Sequence, residues 1–216
     1  KVNEYGLFTG DKRVECADET AFFRALGLDF IAPELREGLD ELEAADSGNL
    51  PELIREEDIR GMLHLHSTYS DGAHSIAEMA AAVQKRGYTY MGMTDHSQSA
   101  AYAGGLKVDA VRRQWDEIDV LNEIMAPFHI FKGIESDILT DGSLDYADPI
   151  LEQFDFVVAS VHSQFNLDRS AMTERFLSAI EHPATTIIGH LTGRLLLDRE
   201  GYELDHEALF EAAAKK

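Results

Sequence analysis

A single cysteine, Cys16, stands in 216 residues. A disulfide framework is therefore excluded, and so is a zinc site built mainly of thiolates. No apolar run is long enough to span a bilayer, and no signal peptide is visible. Together these absences predict a soluble intracellular protein with no membrane partner. Basic residues are also scarce: Lys and Arg number 19 against 40 Asp and Glu, a formal charge of -21. That balance weighs against sequence-independent nucleic-acid binding, which depends on cations neutralising phosphates. Two routes around it stay open, bound divalent cations or a basic neighbouring domain. The length suits one domain with an appendage. The first residue is Lys1 and the last, Lys216, falls inside a helical pattern, so a fragment at both ends is expected.

What is present is concentrated in Gly61 to Gly72, GMLHLHSTYSDG. Met62 to His66 reads as a short buried strand. Strand side chains alternate, so His64 and His66 are expected on one face and Leu63 and Leu65 on the other. Two imidazoles on one face of an apolar strand are poorly explained by packing and well explained by a metal. Asp71 follows in a loop that Gly72 helps to turn. An Asp before Gly serves either turn chemistry or ligation, and His74 is the alternative ligand if the loop folds differently.

Upstream, residues 1–45 have another character. NEYGLF and KRV suggest two strands joined through Thr9, Gly10 and Asp11. A helix should follow, capped by Asp18 or Thr20 and stopping near Gly27. Residues 46–60 read as an acidic linker. From 61 to 216 the rhythm is strand and helix in alternation. Ser75 to Glu78 has capping-box spacing; YTYMGMTDH, HIFKGIESD, FDFVVASVH and TTIIGH are further strands, and a last helix begins near Asp205. Alternating strands and helices predict α/β architecture with a parallel sheet.

The decisive regularity is where ligand-type residues fall. Of nine histidines, His64, His66, His96, His162 and His190 lie at or near strand C-termini, and Glu135 takes the matching place on the third strand. In (β/α) barrels that rim assembles active sites. Asp95 should face away from His96, as a supporting partner or a helix cap. His129, His182 and His206 read as ordinary surface residues. Arg194 lies four residues after His190 and suits phosphate oxygens; Lys107, Ser97, Gln98 and Ser99 are weaker candidates.

Imidazole and carboxylate ligands without thiolate favour manganese, zinc or iron in a hydrolytic site. Seven candidates (His64, His66, Asp71, His96, Glu135, His162, His190) exceed what one catalytic ion needs. Two or three divalent ions are expected, with Glu135 bridging. A metal-bound hydroxide would then be the attacking group, with no protein nucleophile, and phosphate-ester hydrolysis is the chemistry that best uses the arrangement.

HLHSTYSDG, TDHS, GIESDI, SVHS and IIGH, in this order, resemble the PHP (polymerase and histidinol phosphatase) superfamily over roughly residues 61–216. EDIRGMLHLHSTYSDG and DHSQSAAYAGGL narrow the likeness to the C-terminal PHP domain of bacterial family X DNA polymerases, while NEYGLF and FIAPELRE resemble the end of their thumb. The resemblance implies a distorted (β/α)7 barrel, truncated here after about five strands and preceded by a small α+β segment. It also implies up to three metal ions, manganese foremost, and 3'-5' exonuclease with related 3'-phosphatase activity in DNA repair in a bacterial cytoplasm. DNA 3' ends and a polymerase domain in cis are the implied partners. The family's ligands fall on the same seven positions. A further Asp and His of the family's cluster lie beyond the last residue. The fragment should therefore hold two ion sites at best, expose unpaired strand edges and show little activity. The rival readings are a small-molecule phosphatase of the histidinol-phosphate type and a non-catalytic module that stabilises its polymerase.

Overall fold

The structure is a computed structural model and describes residues 1–216. It divides into two compact units, Lys1–Glu56 and Glu57–Lys216. In the first, strands β1 (Val2–Asn3), β2 (Gly6–Thr9) and β3 (Lys12–Val14) form an antiparallel sheet. Helix α1 (Glu19–Ala25) is capped by Asp18, whose side chain accepts from the Ala21 amide, and α2 (Glu41–Ser47) ends at Gly48 in the left-handed conformation. The acidic linker read at residues 46–60 holds the last two residues of α2 and a 3-10 turn at Glu56–Asp58. Arg36 ties this unit together, gripping both carboxylate oxygens of Glu19 at 3.0 and 3.2 Å beside the Phe23 and Phe30 rings.

The second unit is built on five parallel strands in sequential order. They are β4 (Gly61–Leu65), β5 (Tyr90–Met93), β6 (His129–Asp137), β7 (Phe156–Ser160) and β8 (Ile187–Ile188). The sheet curls into a half-barrel, the architecture expected of a truncated PHP barrel. Helices α3 (Ile76–Lys85), α4 (Val108–Met125), α5 (Asp148–Leu151), α6 (Arg169–Glu181) and α7 (His206–Ala214) complete the unit. The capping box expected from the sequence forms at α3: Ser75 accepts from the Glu78 amide, and Glu78 accepts from the Ser75 amide at 2.9 Å.

Burial explains why the frame is firm. The β7 strand is buried at every residue, as a parallel strand covered by helices should be. Ile76, Ala80 and Val83 of α3 meet Met91 and Met93 of β5 and Ile130 of β6 in one apolar cluster. A second cluster joins Val111 and Trp115 of α4 to Ile134, Val157, Met172 and Phe176. Such packing fixes the strand ends, and with them the residues that follow. None of the helices is long and apolar enough to cross a membrane.

Candidate metal centre

The end of β4 departs from simple alternation. Its register against β5 shifts between Met62 and Leu65, and His64 takes a positive φ of 69°. A bulge of this kind re-aims a side chain. The expected division, with both leucines opposite both histidines, is replaced by a bent strand that leaves Leu63 exposed and lies just before His66. Even so, His64 and His66 come together, with ring centroids 5.3 Å apart. A non-glycine residue held at positive φ stores backbone strain, which commonly collects at functional sites.

All five histidines converge on Glu135, which β6 presents almost fully buried at 1% exposure. Its Oε1 lies 3.1 Å from His64 Nε2, 3.3 Å from His162 Nε2 and 2.9 Å from His190 Nε2. Its Oε2 lies 3.4 Å from His66 Nε2 and 3.1 Å from His96 Nδ1. Asp71 joins from the exposed side, 3.3 Å from His66 Nδ1 and 3.6 Å from His96 Nε2. The structure thus brings together all seven ligand-type residues singled out in the sequence.

Charge in the cluster is strongly redistributed. Burial works against ionising Glu135, but hydrogen bonds from His162, His190 and His64 outweigh it and hold the carboxyl far below its usual range. The His96 ring is pushed down, chiefly by burial. Burial also opposes charge on His162, yet its hydrogen bonds to Asp137 and Glu135 prevail and push it up to about 9. The chemistry of the donors fits a metal. The Nδ1 atoms of His66 and His96 are buried without a hydrogen-bond partner although a carboxylate oxygen lies beside each. Two lone-pair-bearing atoms facing each other are repelled unless a proton or cation sits between them. Three overlapping groups could each hold an ion: His64, His66 and Glu135; His66, Asp71 and His96; and His96, Glu135 and His162.

Two buried carboxylates support the cluster. Asp95, with no exposed surface, accepts from the Ser67 amide (2.7 Å), the Ser67 hydroxyl (2.6 Å), the Ser70 amide (3.2 Å) and Gln114 Nε2 (2.6 Å). It therefore shapes the 66–72 loop that carries Asp71, as the expected supporting role requires. Gly72 closes that loop, because a Cβ there would lie 2.1 Å from the His66 carbonyl oxygen. Asp137 is the second, absent from the candidates the sequence offers. It lies 2.6 Å from His162 Nδ1 and accepts from the Ser99 hydroxyl at 2.8 Å. Strand alternation carried the signal, since Asp137 is two residues beyond Glu135 and falls on the same face.

The remaining candidates separate clearly. Ser97, Gln98 and Ser99 are engaged with Asp137 and Asp145. Lys107 is the residue capping α4. His74, His129 and His206 are exposed, and His182 pairs with Asp148. Arg194 is exposed on the loop after His190, with no contact to the cluster.

Comparison with known proteins agrees with this geometry. The PHP domain family matches residues 62–215, which is most of the chain. The chain belongs to the PHP family. Residues 1–37 match the DNA polymerase beta thumb family. A Bacillus subtilis (strain 168) protein named DNA polymerase/3'-5' exonuclease PolX is 45% identical over 222 residues, which cover 100% of this chain and 38% of that protein. Relatives named Probable phosphatase occur in Syntrophotalea carbinolica, 31% identical over 70% of this chain and 60% of the relative, and in Caldicellulosiruptor saccharolyticus, 31% identical over 69% and 59%. The chain therefore spans less than two thirds of the length of each of these relatives.

Proposed function

We propose that this chain supplies the metal-dependent phosphoesterase of a DNA polymerase, hydrolysing phosphodiester or phosphomonoester bonds at DNA 3' ends. The observation that carries the reading is Glu135, one buried carboxylate within 3.4 Å of imidazoles from four other strand ends. The three overlapping ligand groups suit two or three ions, with manganese favoured and zinc or iron as alternatives. Bound there, the ions would polarise a phosphoryl oxygen and lower the pKa of coordinated water toward about 7.

The chain's own residues have distinct tasks. Glu135 offers one oxygen toward His64, His162 and His190 and the other toward His66 and His96, the arrangement of a bridging carboxylate. Asp137 accepts a hydrogen bond from the Nδ1–H of His162, which leaves the Nε2 lone pair to ligate. Asp71 completes the group on the exposed side of the cluster. Arg194, exposed on the loop after His190, has the planar fork that would suit a phosphate oxygen. The thumb match at residues 1–37 and the PolX relative support a polymerase in cis and a DNA substrate.

The relatives named Probable phosphatase favour a second reading, a phosphatase acting on small phosphate monoesters. The separating experiment presents full-length, manganese-loaded protein with 3'-recessed DNA and, separately, histidinol phosphate. Nucleotide or phosphate release from the DNA 3' end, abolished in His64→Ala, is expected. Turnover of histidinol phosphate alone supports the phosphatase, and turnover of neither supports a module that only stabilises its polymerase.

A further inference from the structure

We infer that Tyr102 is a specificity-determining residue, stacking the base of the nucleotide whose phosphate lies over the histidine cluster. The inference rests on the phosphoesterase reading above and deepens it. Tyr102 is 69% exposed, yet its ring centroid is 5.9 Å from that of His96 and 6.2 Å from that of His162. An exposed tyrosine alone needs no explanation. This one is the exception because of what holds it and what it borders.

It sits in a short 3-10 turn, Ala101–Ala103, within the loop that leaves His96. That loop is closed at its base: the Leu106 amide donates to the His96 carbonyl at 2.8 Å, and Ser97 bridges to Leu106. Ala100 and Ala103 are buried and anchor it from beneath. Gly105 permits the close return, since a Cβ there would lie 1.9 Å from the Ser97 carbonyl oxygen. The backbone is therefore fixed, and Tyr102 is its large apolar side chain left facing solvent beside the cluster. A preorganised face of this kind loses little freedom on binding.

The charge balance favours such a face. A chain with net charge -21 has little cation of its own to spend on a phosphate backbone, so within this chain the hold on a DNA end falls to the cluster and to contacts that need no charge. Base–aromatic stacking is such a contact, and it tolerates any sequence because every base has a π-face. A 3'-end enzyme without base preference requires that tolerance.

The test uses full-length, manganese-loaded protein and two oligonucleotides, one with an ordinary 3'-terminal nucleotide and one with an abasic 3' residue. Wild type should prefer the base-bearing end. Tyr102→Phe should keep that preference. Tyr102→Ala and Tyr102→Leu should lose it, with kcat/KM falling about 5- to 150-fold on the base-bearing end and hardly at all on the abasic one. Equal losses on both substrates, or a preference that survives in both the Ala and Leu variants, would overturn the inference. If wild type cleaves DNA without preferring a base, the inference alone fails. Cleavage of neither end by metal-loaded protein removes the phosphoesterase reading as well.

Discussion

Asp137 Oδ1 lies 2.6 Å from His162 Nδ1, and this contact turns the opposite ring nitrogen toward Glu135, 3.3 Å away. A carboxylate behind a ligating histidine fixes both tautomer and ring angle. The Ser99 hydroxyl and Ser97 hydroxyl hold Asp137 in turn, so the loop after β5 steadies a residue on β6 that orients a residue after β7.

Asp137→Asn is therefore expected to fold normally but to weaken metal affinity by about 10- to 100-fold. Competition with a fluorescent chelator measures this. Unchanged affinity would show that His162 needs no support from Asp137.

Asp95 makes a different prediction. Replacing it with alanine strips partners from the Ser67 and Ser70 amides and from Gln114 in a buried setting. Unpaired buried donors cost about 1–3 kcal/mol each, so Asp95→Ala should lose on the order of 3 kcal/mol or more in urea unfolding. Asp95→Asn, which keeps an acceptor, should lose less. Equal stability of Asp95→Ala and wild type would contradict the role given to this carboxylate.

The Tyr202 hydroxyl is buried without a hydrogen-bond partner. Burial pushes the phenol up to about 12, against the pull of Arg175 and Arg199. The folded value lies above the unfolded value of 10.0, so the protonated phenol's contribution is fully present below pH 10. It is lost as pH rises toward 12. Tyr202→Phe should match wild type or exceed it in stability at pH 7, and its alkaline unfolding limb should be shallower between pH 10 and 12. A variant markedly less stable at pH 7 would reveal a hydroxyl partner.

How much of this could be read from the sequence depends on what each residue's type discloses. Histidines and a glutamate repeated at strand ends expose the cluster, because packing offers no reason for imidazoles to choose one rim. Ser75 and Glu78 disclose a helix start because capping is a local hydrogen-bond exchange. The bulge that aims His64 is not disclosed, since a register shift belongs to the pairing of β4 with β5 and not to any one side chain. Tyr102 was equally hidden: a loop has no period, and its proximity to His96 and His162 arises only when the loop closes on Ser97. Arg194 shows a third case: its place on the loop after His190 is legible in the sequence, but no contact within the fold says what its exposed guanidinium meets.

Metal content of the full-length protein tests the central claim most directly. After equilibration with manganese and extensive dialysis, wild type should retain about two or three ions per chain, the number its ligand groups suit. Glu135→Gln, which removes the shared carboxylate charge, should retain at most one. Wild-type protein with no bound metal, or a Glu135→Gln variant that keeps its full complement, would contradict the account.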